Sequence, residues 1–440
     1  MTERGATKGG TIVVDSTDGD PLKDLFDFPL LEAIYGRRAR RFGLGMEIPS
    51  GPLAFKSSAE PAPLSELEHA VLVAAGTGVT GWNFGVPFGP DRPDSHAHYT
   101  QRFTGRTAPT AAGFGTPVLF HTDDEGTYLT NTRDTRPTAV RELEGADDIQ
   151  RILELGRQRT TKLSDRRLDL PAQPPHMLPP NLWMANAPGS TLFMPVGDAS
   201  EQVLGFLAMT LANGNFIVDD EAGRPAGDLA PFVRSGLLDE TKVSPLSVLQ
   251  QMAYEANTAE ISFMAHNIVL TMQAMGLGGL FFNGINRWSV LGAFAEDGIA
   301  GLGFRFVDDE RWTLPNPLGL DGIYEALCPP YQPDMRTAAH VFAERKFGPG
   351  GTYDPSTPGP WKDAAAIKAG VEPYSEEFVA CLGEVAQYIY DTEYYDTHFQ
   401  PGAYLPAHSR HWEKWHSARD DSPPDSSTGR TARESETLTG

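Results

Sequence analysis

From residue 257 the chain reads NTAEISFMAHNIVLTMQAMGLGG, with apolar positions that recur at the spacing of a helix. Ile261, Met264, Ile268, Met272 and Met275 are 3, 4, 4 and 3 residues apart, so they form one stripe, which Ala265, Val269 and Leu270 widen. The pattern predicts a buried helix over 245–276, stopped where Gly276, Gly278 and Gly279 let the backbone turn. Shorter patterns predict helices over 22–36, 64–76, 138–164, 334–346 and 375–392. TPVLFHT (116–122) and TYLTNT (127–132) read as a hairpin around DDEG, with Gly126 at positive φ. STLFMPVG, VLGFLAMTL, GNFIVDD and GLGFRFV read as further strands. Helices and antiparallel strands interspersed without a regular βαβ rhythm indicate an α+β fold.

Breaks in the pattern set the boundaries. Residues 1–20 are polar and Gly-rich, and 417–440 hold almost no apolar side chain to offset the entropy of ordering, so both ends are expected to be disordered. Five prolines in LPAQPPHMLPPNLW (170–183) exclude helix and sheet interior, which leaves a linker or an extended surface strap. No repeat of about 20 to 50 residues is visible. The apolar runs are too short or too interrupted to span a bilayer, and the N-terminus lacks the apolar segment of a secretory signal. Cys328 and Cys381 are too few for a disulfide framework or a four-thiolate metal site, and the expected compartment is the cytoplasm.

Charge narrows the partners. Lys plus Arg total 36 against 58 Asp plus Glu, a net charge of −22, which excludes a general nucleic-acid binder. Against that background RRARRF (37–42) places Arg37, Arg38, Arg40 and Arg41 directly after the amphipathic segment PLLEAIYG. They could cap a helix C-terminus, where the dipole is negative. Four guanidiniums exceed that need and repel one another, so a compact anion would relieve them.

Three segments in order resemble the flavin-dependent nitroreductase-like superfamily. AIYGRRARRF resembles its Arg-x-Ser-x-Arg/Lys-x-Phe opening, which holds the FMN phosphate; the serine position is Ala39 or Arg38 here. APTAAGFGTPVLF (108–120) resembles the Pro-Ser-Ser/Ala-Gly-Asn loop along the ribityl chain, with Thr110 for serine and Phe114 or Gly113 at the asparagine position. GTGVTGWNFG (76–85), with Thr80 and Asn83, competes for that match, and helix 64–76 with Trp82 or Phe84 could wall the pocket. AEISFMAHNIVLTMQAMGLGGLFFNG resembles the long helix, Gly-Leu-Gly turn and segment whose N–H groups face flavin N5.

The resemblance implies a central, mainly antiparallel sheet flanked by helices with a long buried helix. It implies a flavin domain over 21–310 with an insertion at about 141–249, followed by an extension over 311–416 and the tail 417–440. Cofactor-binding residues would be Arg37, Arg38, Arg40, Arg41, Pro109, Thr110, Ala111, Gly113, Asn283 and Gly284. The implied activity is that of a cytoplasmic, homodimeric FMN oxidoreductase taking hydride from NAD(P)H to a small organic electron acceptor, with the long helix packed on its twin. Neither nucleic acid nor membrane is an expected partner. Two other classes stay open: a flavin fold without catalysis, acting as a binding or scaffold protein, and a metal enzyme using His398, His408, His411 and His416. No catalytic side chain is identified. NPLGLDGIYEALCPPY (316–331) could be a lid or irregular core, and Cys328 an inert buried thiol.

Overall fold

The structure, a computed structural model, describes residues 21–83, 103–110, 113–133, 140–142, 147–282, 284–308, 315–392, 401–403 and 407–410. The chain opens with α1 (Pro21–Phe26), α2 (Leu30–Gly36), the strand pair β1 (Glu47–Ile48) and β2 (Phe55–Lys56), then α3 (Glu66–Thr77). β3 (Val79–Trp82) pairs with β4 (Thr104–Arg106), and the hairpin of β5 (Val118–Asp123) and β6 (Gly126–Thr130) follows. After α4 (Asp147–Gln158) come β7 (Thr160–Ser164), β8 (Thr191–Asp198), α5 (Ala199–Ala212), β9 (Asn215–Asp219) and β10 (Arg224–Pro225). α6 (Ala230–Arg234) and β11 (Asp239–Pro245) lead into α7 (Leu246–Met275) and β12 (Gly278–Leu280). The remainder is α8 (Arg287–Leu291), β13 (Arg305–Val307), β14 (Asn316–Leu320), β15 (Tyr324–Glu325), α9 (Met335–Phe347), α10 (Ala364–Ala369), α11 (Glu376–Asp391), β16 (Pro401–Ala403) and β17 (Ala407–Arg410).

Helices and antiparallel sheet are mixed, as the pattern predicts. The main sheet runs β12-β17-β8-β5-β6-β7, with β16 also on β8, and every pairing in it is antiparallel. Its strands alternate between two cores. Val118, Phe120, Leu192, Met194 and Val196 enter one, beneath Met177 and Met184 of the proline strap; Leu119 and Phe193 enter the other, against α3 and α7. A third core joins α5, α9 and α11 to the first half of α7. Segment 141–249 thus supplies β8, an interior strand of the sheet, and α5, a core helix.

α7 matches its predicted span within a residue at each end, and the predicted stripe of Ile261, Met264, Ile268, Met272 and Met275 is buried. Gly276 ends it at φ 73°, with Leu277 N donating to Met272 O at 2.9 Å, a left-handed glycine stop. Several expectations change. The 22–36 helix is two helices, because Pro29 has no N–H to continue α1. Within 138–164 the helix spans only Asp147–Gln158, and β7 follows. VLGFLAMTL is helix, not strand: Asp198 accepts from Ser200 N and Glu201 N and starts α5, which is buried on nearly all sides, so its apolar run shows no period. Gly126 does not have positive φ; Asp123 Oδ1 closes that turn by accepting from Glu125 N and Gly126 N.

The strap 170–183 crosses the surface with one 3-10 turn at Pro179–Asn181. β14 and the buried Tyr324, Leu327 and Cys328 make 316–331 core, not lid. Trp82 packs beside Phe103, Tyr353 and Trp361; Phe84, Ala111, Asn283, His398, His411 and His416 lie outside the described residues.

Gly205 on α5 is set by contact with Phe114, whose ring would stand 2.3 Å from an added Cβ. Alanine favours an interior helix position by about 1 kcal/mol over glycine, but overpacking costs about 1–3 kcal/mol. Gly205→Ala is therefore expected to lower unfolding free energy by about 1–2 kcal/mol in urea denaturation; an increase would show that Phe114 moves aside freely.

Candidate functional site

The predicted site residues fall into two clusters on α7. The first gathers at its C-terminal end. α2 stops at Gly36 and Arg37 continues as extended backbone. Arg38 Nη1 donates to Tyr35 O (3.0 Å) and Arg37 O (2.8 Å), capping α2 as the dipole argument allows. Arg40, 6% exposed, is drawn inward: its N–H donates to Gly279 O (3.1 Å), Nη1 to Gln273 Oε1 (2.5 Å) and Nη2 to Gly36 O (3.5 Å). One residue therefore joins α2 and α7 through its guanidinium and the glycine turn through its backbone N–H. The side chains of Arg37 and Arg41 are exposed and make no hydrogen bond or ion pair among the described residues. Phe42 is buried against Phe55 (5.2 Å) and Trp183 (6.3 Å).

Gly284 lies nearby, under the strap. Its carbonyl accepts from Leu178 N (2.9 Å), and a Cβ there would meet Asn181 Nδ2 at 2.0 Å, so a larger residue would require the Asn181 amide to move. Between the strap and the β1–β2 hairpin runs an open groove of about 500 Å³, lined by Ile48, Pro49, Pro52, Leu53, Leu182 and Trp183 among others.

The second cluster surrounds Glu260, 13 residues before Gln273 and so about 20 Å away along the helix axis. Glu260 is 3% exposed. Its Oε1 accepts from the Thr110 hydroxyl and Gly115 N (2.9 Å), and its Oε2 from Thr116 N (3.2 Å) and Gln202 Nε2 (2.8 Å). Burial raises this carboxyl above its ordinary range, while the Thr110 hydroxyl, the two N–H groups and the Arg106 charge pull it back. Gly113 N donates to the Thr110 hydroxyl (3.0 Å), so the loop from Pro109 wraps the carboxylate. Arg106 donates to Thr132 Oγ1 (3.1 Å) and Thr132 O (2.5 Å). Glu260, Thr110, Gly115, Arg106 and Thr132, with Met264, line a cleft of about 20 Å³, room for a water-sized body.

Gln202 lies on α5, whose N-terminal end holds a second buried charge group. Arg133 Nη1 donates to Asp198 Oδ2 (3.0 Å), its Nε lies 3.8 Å from Glu201 Oε2, and its guanidinium sits 5.1 Å over the Tyr324 ring. Burial raises the Asp198 carboxyl, and Arg133 opposes the rise.

The structure thus brings Arg40 to the glycine turn and Thr110, Pro109 and Gly113 to Glu260, but it does not bring those two sets together within one chain. Reading the motifs missed Glu260, Gln202 and Gln273. The available signal was a charge and two amides at the edges of apolar helical runs, since buried carboxylates and amides require partners. The competing segment 76–85 contributes β3, with Asn83 N donating to Phe103 O (2.7 Å). Among the described residues no group of three or more His, Cys, Asp or Glu could hold a metal ion, and no helix is long and apolar enough to cross a membrane. Cys328 and Cys381 are buried and are not joined in a disulfide.

No protein-family profile matches the chain. No curated protein sequence matches it either. Among solved structures, a protein of Ralstonia eutropha JMP134 described as a candidate nitroreductase is similar over 65% of this chain and 83% of its own, at 13% identity and a TM-score of 0.27.

The Glu260 contacts generate a graded expectation. Glu260→Gln retains an acceptor for one side of the loop but turns an amide toward the donors on the other, leaving a buried N–H unpaired at a cost of about 1–3 kcal/mol. Glu260→Ala leaves all four donors without an acceptor and is expected to cost about 3–5 kcal/mol, as when one partner of a buried pair is deleted. Equilibrium denaturation should rank wild type, Gln and Ala in that order of falling stability; equal stability of all three would show that the loop finds other acceptors.

Proposed function

We propose that the protein is an oxidoreductase of the nitroreductase-like, FMN-dependent kind, taking hydride from NAD(P)H and delivering it to a small organic acceptor. The observation that carries this reading is the division of labour in RRARRF: Arg38 and Arg40 serve the fold, while Arg37 and Arg41 are exposed and unpaired beside the glycine turn. In a chain of net charge −22, two such guanidiniums form a local site for a compact dianion, and a terminal phosphate suits their planar donors.

The residues fit FMN in part. Arg37 and Arg41 would hold its phosphate. The Thr110 hydroxyl and the N–H groups of Gly115 and Thr116 are turned onto Glu260, so no ribityl contact is derived from them. FMN, when bound, supplies the hydride chemistry. This chain's residues would bind and orient: Arg40 holds the extended segment against Gly279, and the strap covers Gly284 and excludes water from that side. The proposed homodimer would not use the methionine stripe, which is buried within the chain. It would cover the outer face of α2, where Leu30, Leu31, Ile34 and Tyr35 are exposed.

Replacing Arg37 and Arg41 together by Ala should leave the melting temperature of the apoprotein in place and weaken FMN binding by a few kcal/mol, since each charge-assisted contact contributes about 1.5–3 kcal/mol. Arg40→Ala should do the reverse in kind, lowering the melting temperature first. Flavin-fluorescence titration against calorimetry separates the two. Wild-type protein that takes up no FMN, or unchanged affinity in the double variant, would overturn the reading.

A further inference from the structure

A chain of hydrogen bonds crosses the main sheet far from the arginines, and its direction can be deduced link by link. His69 on α3 lies against His121 of β5, Nε2 to Nδ1 at 3.1 Å. His121 Nε2 is 3.2 Å from Thr130 Oγ1 on β6, and Thr130 Oγ1 is 2.8 Å from Thr160 Oγ1 on β7. Thr160 donates its hydroxyl hydrogen to Gly156 O, at 2.8 Å. A hydroxyl has one hydrogen, so Thr160 must accept from Thr130. The Thr130 oxygen must then accept from His121 Nε2–H. A neutral His121 has its Nδ1 bare, so His69 Nε2–H donates to it. The fixed carbonyl at one end sets both imidazole tautomers at the other.

Proton uptake by the pair follows from that order. His121 is fully buried, stacked on Tyr128 with centroids 5.1 Å apart, and both of its nitrogens are engaged. A proton on its Nδ1 would set two N–H groups head to head. His69 is only partly buried, and a proton on its Nδ1 disturbs no link of the relay. Asp123 at the hairpin turn is the charge that acts on His69; Asp123, Glu125, Lys162 of β7 and Asp165 just after it act on Tyr128, which stacks on His121; from β8, Phe193 stacks on His69 at 6.0 Å.

We infer that the pair is a built-in proton site: it takes up one proton, at Nδ1 of His69, while His121 is locked as the neutral Nε2–H tautomer, so that the docking of α3 on the sheet responds to pH. The opposite end of α3 carries Gly76 and Thr77, which line the Glu260 cleft, so this seat bears on that cleft.

Burial lowers both imidazoles below their ordinary 6.5; for His69 the Asp123 charge offsets part of the shift, and for His121 the neighbouring His69 adds to it. The sign follows from linkage. Both groups prefer to be neutral in the folded state, so their contribution is fully present above pH 6.5 and is lost as pH falls below it, where the unfolded chain binds two protons and the folded chain at most one.

The test is imidazole NMR on the full chain labelled with 15N-histidine, titrated from about pH 8 to 5, the range in which histidine changes charge. His121 is expected to show the Nε2–H tautomer and no titration, and His69 to gain a proton at Nδ1 with a midpoint below 6.5. Thr130→Val removes the acceptor and should release His121 to the Nδ1–H tautomer, whereas Thr130→Ser retains it. Thr160→Val is the second variant should Thr130→Val not fold; it unlocks the Thr130 hydroxyl and should yield a mixture of tautomers. A titrating His121, an Nδ1–H tautomer in wild type, or tautomers unchanged in both valine variants would overturn the inference.

Discussion

The structure depends on one constraint: α7 runs for 30 residues against two of the three large cores, and its buried polar residues, Asn257, Glu260 and Gln273, need partners. A buried polar group left alone costs about as much as a lost hydrogen bond or more, so these residues act as docking instructions. Glu260 collects the 110–116 loop and Gln202 of α5. Gln273 collects Arg40 and, through it, α2 and the glycine turn. Apolar burial determines that α7 is central; its three buried polar residues, Asn257, Glu260 and Gln273, determine which loops lie on it.

The same economy explains RRARRF. A basic cluster in an acidic chain invites a single explanation, yet its four arginines stand in three situations. Arg38 satisfies carbonyls at the end of α2, Arg40 enters the core, and Arg37 and Arg41 are left in solvent. Arg40 fixes the backbone against Gly279, and alternation of the extended segment then points Arg41 outward between the buried Arg40 and Phe42. The solvent-facing position of Arg41 is a consequence of where Arg40 had to go.

Burial of charge recurs at Arg133, Asp198 and Glu201, beside the Glu260 network and connected to it through α5. Asp198 both caps α5 and pairs with Arg133, so the start of that helix and the charge balance of the core are one feature. Two carboxylates against one guanidinium, with Tyr324 beneath it, make this region intolerant of losing Arg133, which would leave both buried carboxylates without a counter-charge.

Periodicity over many turns was legible in the sequence alone: α7 and α11 match their predicted spans within about a residue, because long amphipathic or capped runs leave few alternatives. The β5–β6 hairpin was legible for a similar reason, since alternation and a turn signal agree. α5 was not, because a helix buried on all sides has no polar face to display its period; its one local sign was Asp198 followed three residues later by Glu201 at the start of the apolar run. The motif reading placed arginines and Pro109–Gly113 around one ligand; in the tertiary structure Arg40 is bonded to Gln273 and Thr110 to Glu260, positions about 20 Å apart along α7, and spacing in sequence carries no information about which side-chain oxygen a segment will fold onto. The roles of Glu260 and Gln273, the split among the arginines and the direction of the His69–Thr160 relay all arise from contacts between residues dozens to hundreds of positions apart, and only the folded chain brings those donors and acceptors within reach of each other.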